Sequence, residues 1–172
     1  MGTFSKTHKV DDHGNVATVD PFNGHIHDEK GFTVSDYASG VGSANGVQWY
    51  IDTGAKECHL NFNLAVNAAS RIYFHKDITV TATNSGSVVT GYNLCTSSAN
   101  TASTVIYSSG TITSSGAIMR QLYLPDLVTG LGAGNTRGVV HYVLGANSQH
   151  MIKATPLTGT ANICLNILFS DE

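Results

Sequence analysis

A chain of 172 residues and 18.1 kDa has room for one domain and little room for two. Only 12% of its residues are charged, against about 25% in an ordinary soluble domain, and the net charge is −3. With no basic cluster, the charge balance argues against a phosphate-gripping nucleic-acid groove.

Such a chain can bury roughly 70% of its unfolded surface, enough for a core without staples. Residues 78–119 contain no Asp, Glu, Lys or Arg. Ser, Thr, Asn and Gly must therefore cover much of the surface, as in shells, fibres and lectin-like proteins. Cys58, Cys95 and Cys164 are an odd count without a CxxC pair. They read as free, mostly buried thiols of a protein made in a reducing compartment. The start, Met1 to Lys6, lacks the apolar run of a signal peptide, and Lys6 breaks a myristoylation motif. No apolar run reaches the length of a membrane-spanning helix.

Taken in chain order, residues 1–31 read as an extended arm or edge segment. Nine of the 21 charges precede Tyr37, four histidines fall here, and Pro21 and Gly24 interrupt any regular element. Residues 32–172 read as one domain of strands and turns. Leu60, Phe62, Leu64 and Val66 alternate with Asn61, Asn63 and Ala65, the period of a half-buried strand. Ile163, Leu165, Ile167 and Phe169 repeat that pattern. Strands are also expected over 32–37, 47–51, 71–75, 77–83, 87–92, 103–107, 117–124, 138–144 and 149–154. Turns are expected at Asn45-Gly46, 84–86, 108–110, Ser115-Gly116, Gly134-Asn135 and 145–147. Helical turns are conceivable only at 63–70 and 124–131. The fold class is all-β, an antiparallel sandwich of jelly-roll-like form.

Chemistry-bearing spacings are sparse. His25 and His27 would share one face of a strand, with Asp28 and Glu29 following, which is how a cupin-type metal site begins. The matching half around His141 lies over a hundred residues on. A surface or interface histidine pair is the plainer reading. His59, His75, His141 and His150 read as satisfied edge or core imidazoles. There is no G-x-S-x-G elbow, P-loop or dinucleotide fingerprint. Trp49, Tyr50, Tyr73, Tyr92, Tyr107, Tyr123 and Tyr142 are spread over different strands and read as packing residues before a sugar platform. No enzyme activity, cofactor or metal is expected.

Several runs carry a resemblance. They are His25-Ile-His27, Phe32-Thr-Val-Ser35, Ile51-Asp-Thr-Gly54, His59-Leu-Asn-Phe62 and Tyr92-Asn-Leu94. The stretch from Tyr142 to Lys153, then Leu157-Thr-Gly-Thr-Ala-Asn162 and the alternating last strand, completes them. Together these resemble the head decoration, or capsid cement, proteins of tailed bacteriophages, from about residue 25 to the end. Cys95-Thr96 depart from the family pattern. The resemblance implies a structural virion protein on the capsid exterior, made in the host cytoplasm. It would hold major capsid protein subunits together as a homo-dimer or trimer, with neither nucleic acid nor membrane as partner. By position, His25, His27, Asp28 and Phe32 would contribute the capsid or subunit contacts. A tail-associated or carbohydrate-binding module is the alternative, and a cupin-like metal-binding protein a third.

Overall fold

A computed structural model describes residues 9–10, 16–17, 28–80, 86–109, 112–125, 134–135 and 141–172. Among them are sixteen strands and no helix. In chain order they are β1 (Lys9–Val10), β2 (Val16–Ala17), β3 (Gly31–Gly42), β4 (Val47–Asp52), β5 (Cys58–Val66) and β6 (Ser70–Lys76). Then follow β7 (Thr79–Val80), β8 (Ser87–Val89), β9 (Gly91–Asn93), β10 (Val105–Ser108) and β11 (Ile112–Ser114). The last are β12 (Ala117–Leu124), β13 (Gly134–Asn135), β14 (Tyr142–Leu144), β15 (Gln149–Pro156) and β16 (Thr160–Asp171).

The fold is an all-β antiparallel sandwich. One sheet has the order β12-β6-β15-β4-β10-β8. The other has the order β13-β5-β16-β3-β9, with β14 beside β13 on the free edge of β5. The long strands change sheet at nearly every turn: β3, β5, β14 and β16 lie in the second sheet, and β4, β6, β12 and β15 in the first. The expected arm contains a small antiparallel pair, β1 with β2.

Alternation builds the core. Ile163, Leu165, Ile167 and Phe169 of β16 point between the sheets, with Leu60 and Leu64 of β5 beside them. The facing sheet answers with Trp49 and Ile51, Ile72 and Phe74, and Ile152 and Ala154. Two inner faces of branched and aromatic side chains interdigitate, as sandwich packing requires. Phe32 stacks on Phe169 at 5.4 Å between ring centroids, and Phe74 meets Tyr142 edge-on at 4.6 Å.

Two polar links tie the sheets together. Trp49 is fully buried, so its indole N–H needs an acceptor. It donates to Asp36 Oδ2 at 2.7 Å, from β4 across to β3. Asp171, 2% exposed, accepts from the backbone N–H groups of Ser103 and Thr104 and from the Thr104 hydroxyl at 2.6 Å. It thereby anchors the loop entering β10 to the end of β16.

Turn chemistry agrees with the sequence where it matters most. Gly46 has φ +68°, and a Cβ there would stand 2.5 Å from the Ala154 carbonyl oxygen. Gly116 has φ +58°, and a Cβ would stand 2.0 Å from the Lys76 carbonyl oxygen. Neither turn admits a side chain without moving a neighbouring strand.

Some expectations need correction. Residues 87–92 are not one strand: β8 joins the first sheet beside β10, and β9 joins the second beside β3. Segment 77–83 yields only β7 among its described residues. Gly134-Asn135 is a short strand on β5, not a turn. Residues 63–66 belong to β5, because the apolar residues there repeat every second position and not every third or fourth. Beyond Pro125 the conceivable helix at 124–131 lies outside the described residues, as do 138–140 of the expected strand.

Replacing Asp171 with Ala leaves three donors without their acceptor. Unfolding in urea is expected to show a loss of about 2–4 kcal/mol at unchanged m-value. A loss within experimental error of zero would contradict this role.

Candidate functional site

The outer surfaces of the two sheets differ in chemistry, and the difference follows from register. On β16 the residues between the core positions are Asn162, Cys164, Asn166 and Leu168. Across β5 their partners are Ala65 for Cys164, Asn63 for Asn166 and Asn61 for Leu168. Across β3 they are Tyr37 for Cys164, Ser35 for Asn166 and Thr33 for Leu168. Tyr92 of β9 extends the row beside Thr33, and Val143 of β14 stands beside His59. None of these outward residues is Asp, Glu, Lys or Arg.

This face is polar and charge-free, with apolar side chains set into it. Tyr92 is 66% exposed, Tyr37 62%, Val143 57% and Leu168 40%. Between them run amide and hydroxyl groups. Ser35 Oγ donates to Asn166 Oδ1 at 2.8 Å, and Asn162 Oδ1 accepts from the Gly40 N–H at 3.0 Å. Such a surface can meet a partner without stripping water from any full charge.

At one end the face meets a histidine pair. His59 Nδ1 lies 3.2 Å from His141 Nε2, and His59 Nε2 lies 3.5 Å from a Glu172 carboxylate oxygen. The two contacts lie on opposite sides of the His59 ring, so these groups do not converge on one point. Among the described residues no three His, Cys, Asp or Glu side chains are placed to share a metal ion.

His75 and His150 depart from expectation. They are 7% and 5% exposed, and the Nδ1 of each is buried without a hydrogen-bond partner. Ser148 Oγ lies 2.8 Å from His150 Nε2. Burial pushes both imidazoles below the ordinary histidine range, and Lys153 adds to this at His75. Both are core imidazoles, as the sequence suggested, but each is satisfied only in part. The thiols also differ from expectation: Cys58 alone is buried, its pKa pushed up to about 12, mainly by burial. Cys95 and Cys164 are half-buried.

The residues singled out in the sequence scatter. His25 and His27 lie outside the described residues. Asp28 is exposed in a turn. Glu29, after it, is occupied: its carboxylate accepts from Ser98 Oγ at 2.8 Å and Asn100 Nδ2 at 3.2 Å, fixing the loop after β9. Phe32 is 4% exposed against Phe169, so its side chain packs the core and offers nothing to a partner. Among the aromatics, Tyr92 and Tyr123 are exposed and not packed inside. Tyr37 and the His59–His141 contact were missed. The first stands just past the apolar start of β3, and the second joins residues 82 positions apart.

No protein-family model matches the chain, and no curated protein matches it. Among solved structures, hydroquinone 1,2-dioxygenase from Sphingomonas sp. TTNP3 with 4-hydroxybenzoate bound is similar at 13% identity and a TM-score of 0.27. The infectious bursal disease virus VP2 subviral particle is similar at 8% identity and a TM-score of 0.20. Each comparison covers 83% of this chain, which spans 59% of the first protein's length and 41% of the second's. At these TM-scores neither likeness adds to what the residues themselves argue.

The two buried histidines set a pH dependence. Their folded values lie below the ordinary 6.5, so on acidification the unfolded chain takes up protons first. Their full contribution to stability is present above about pH 6.5 and is lost as pH falls through and below that value. Unfolding free energy measured at pH 7.5 and 5.5 is expected to be lower at 5.5, with a smaller difference in His150→Gln. An equal or steeper loss in that variant would assign the acid sensitivity elsewhere.

Proposed function

We propose that this chain is a decoration protein of a bacteriophage head, bound on the capsid exterior and bracing neighbouring major capsid protein subunits. The observation that carries the reading is the charge-free outer face of β3, β5 and β16. A cement protein gains from many modest contacts repeated over a lattice, where avidity multiplies a weak individual site. A face of Asn, Ser and Thr suits that task, because each group both donates and accepts and none demands a counter-charge. Tyr37, Tyr92 and Leu168 supply the apolar anchors that concentrate binding energy.

The winding of β3, β4, β5, β6, β12, β14, β15 and β16 between two sheets supports a jelly-roll reading of the sandwich. In this proposal the protein works as a homo-dimer or trimer. His25, His27 and Asp28 of the arm remain its candidate subunit or capsid contacts. Among the described residues β8 is an edge of the first sheet, where a second copy can pair without using the bland face.

The test is co-sedimentation of purified protein with purified heads of the phage that carries its gene. The wild type is expected to bind. Leu168→Glu and Asn166→Lys, which place a charge in the face, are expected to weaken binding about a hundredfold. Gln121→Lys, on the other sheet, is expected to bind as the wild type does. Failure of the wild type to sediment, or unchanged binding by both face variants, would refute the proposal.

A further inference from the structure

The geometry points to a second binding site, on the outer face of the opposite sheet, for a short carboxylate-bearing saccharide held by Arg71 and Lys153. The site is a groove of about 690 Å³. Gln48, Arg71, Tyr73, His75, Lys153 and Thr155 line it. This inference rests on the groove alone and not on docking to a capsid.

Register builds the groove. Tyr73 on β6 stands opposite Lys153 on β15, and Lys153 stands opposite Gln48 on β4. One step along, Arg71 stands opposite Thr155. Arg71 and Lys153 are therefore diagonal neighbours on adjacent strands, roughly 7–8 Å apart at the backbone, and their long side chains reach a common point. The ion pairs among the described residues are His59 with Glu172 and Lys76 with Asp77. Arg71 and Lys153 belong to neither. Two cations share one concavity, and among the described residues that line it none is a carboxylate, in a protein whose net charge is −3.

The rest of the lining selects among anions. A volume of about 690 Å³ is within the range of small-ligand sites and far larger than one inorganic anion needs. Tyr73 presents a half-buried ring beside the cations, the surface on which a sugar ring packs. Gln48 and Thr155 offer an amide and a hydroxyl for sugar hydroxyls. His75 adds a nearly buried imidazole whose Nδ1 has no partner. A nucleic acid would need a longer cationic track than two side chains provide. A uronic or sialic acid residue fits the polar part of this lining: its carboxylate bridges the guanidinium and the ammonium, its ring covers Tyr73, and its hydroxyls meet the neutral donors, while Ile118, Met151 and Leu157 form an apolar part of the wall.

The site is tested with the full-length protein on an array of uronic-acid and sialic-acid oligosaccharides, neutral oligosaccharides and sugar phosphates. Calorimetry then compares the best ligand with its carboxyl-reduced form. At least one carboxylated glycan is expected to bind, and carboxyl reduction is expected to weaken it about tenfold or more. Arg71→Gln and Lys153→Gln are expected to do the same at an unchanged thermal midpoint. Should Lys153→Gln fail to fold, the exposed Arg71→Gln decides. The inference is overturned if no carboxylated glycan binds, if sugar phosphates alone bind, if the reduced form binds equally well, or if Arg71→Gln binds as the wild type does. Head binding is not part of this readout, so its success or failure is separate.

Discussion

The sandwich depends on the pairing of β16 on both of its edges. That strand runs Thr160–Asp171, with β3 hydrogen-bonded along one side and β5 along the other. It joins the start of the domain to its middle through the last residues of the chain. From Ile163 to Ser170 the strand is paired on both sides, so it has no edge to expose there and its register cannot slip by one residue without turning the core face outward. Phe169 on Phe32, and Asp171 beneath the loop into β10, fix that register at its far end.

The same period of two that buries Ile163, Leu165 and Ile167 presents Asn162, Cys164, Asn166 and Leu168 to the outside. The bland face is thus the other side of the core, and one pairing defines both. The first sheet has a different outside. There Arg71, Lys153 and Asp52 lie among Tyr50, Tyr73 and Tyr107, and Ile78 packs over Tyr50 and Met151 to cover part of the face. Described strands of the charge-free segment lie toward the edges: β8 and β10 extend one sheet beyond β4, and β9 extends the other beyond β3. A protein docked through its bland sheet would hold the cationic groove outward.

The strands that carry both faces were legible in the sequence. Alternation in 60–66 and 163–169 reads directly as β5 and β16, and β12 ends where its apolar pattern ends. The split of 87–92 was not legible, because Val88, Val89 and Tyr92 suit either sheet and only tertiary pairing divides them. The paired face was half legible: Asn61, Asn63, Asn162 and Asn166 stood between apolar residues, but their alignment across strands needs the register. The groove was invisible, since Arg71 and Lys153 lie 82 positions apart and neither stands in a motif. Phe32 shows the opposite failure. Its place near the arm suggested contact, whereas it occupies an inward position of β3 and stacks on Phe169 in the core.

We propose that the outside of β16 is the surface this protein gives to its partner. Cys164 lies near the middle of that face, half-buried between Ala65 and Tyr37. In a Cys95→Ser background it is the reporter, because Cys58 is fully buried with its thiol pushed up to about 12. The decisive measurement is the rate of Cys164 alkylation in the free protein and in the protein bound to phage heads. Binding is expected to suppress the rate by about tenfold or more, the loss of access expected when a half-buried thiol is covered. An unchanged rate on heads carrying the protein would contradict it.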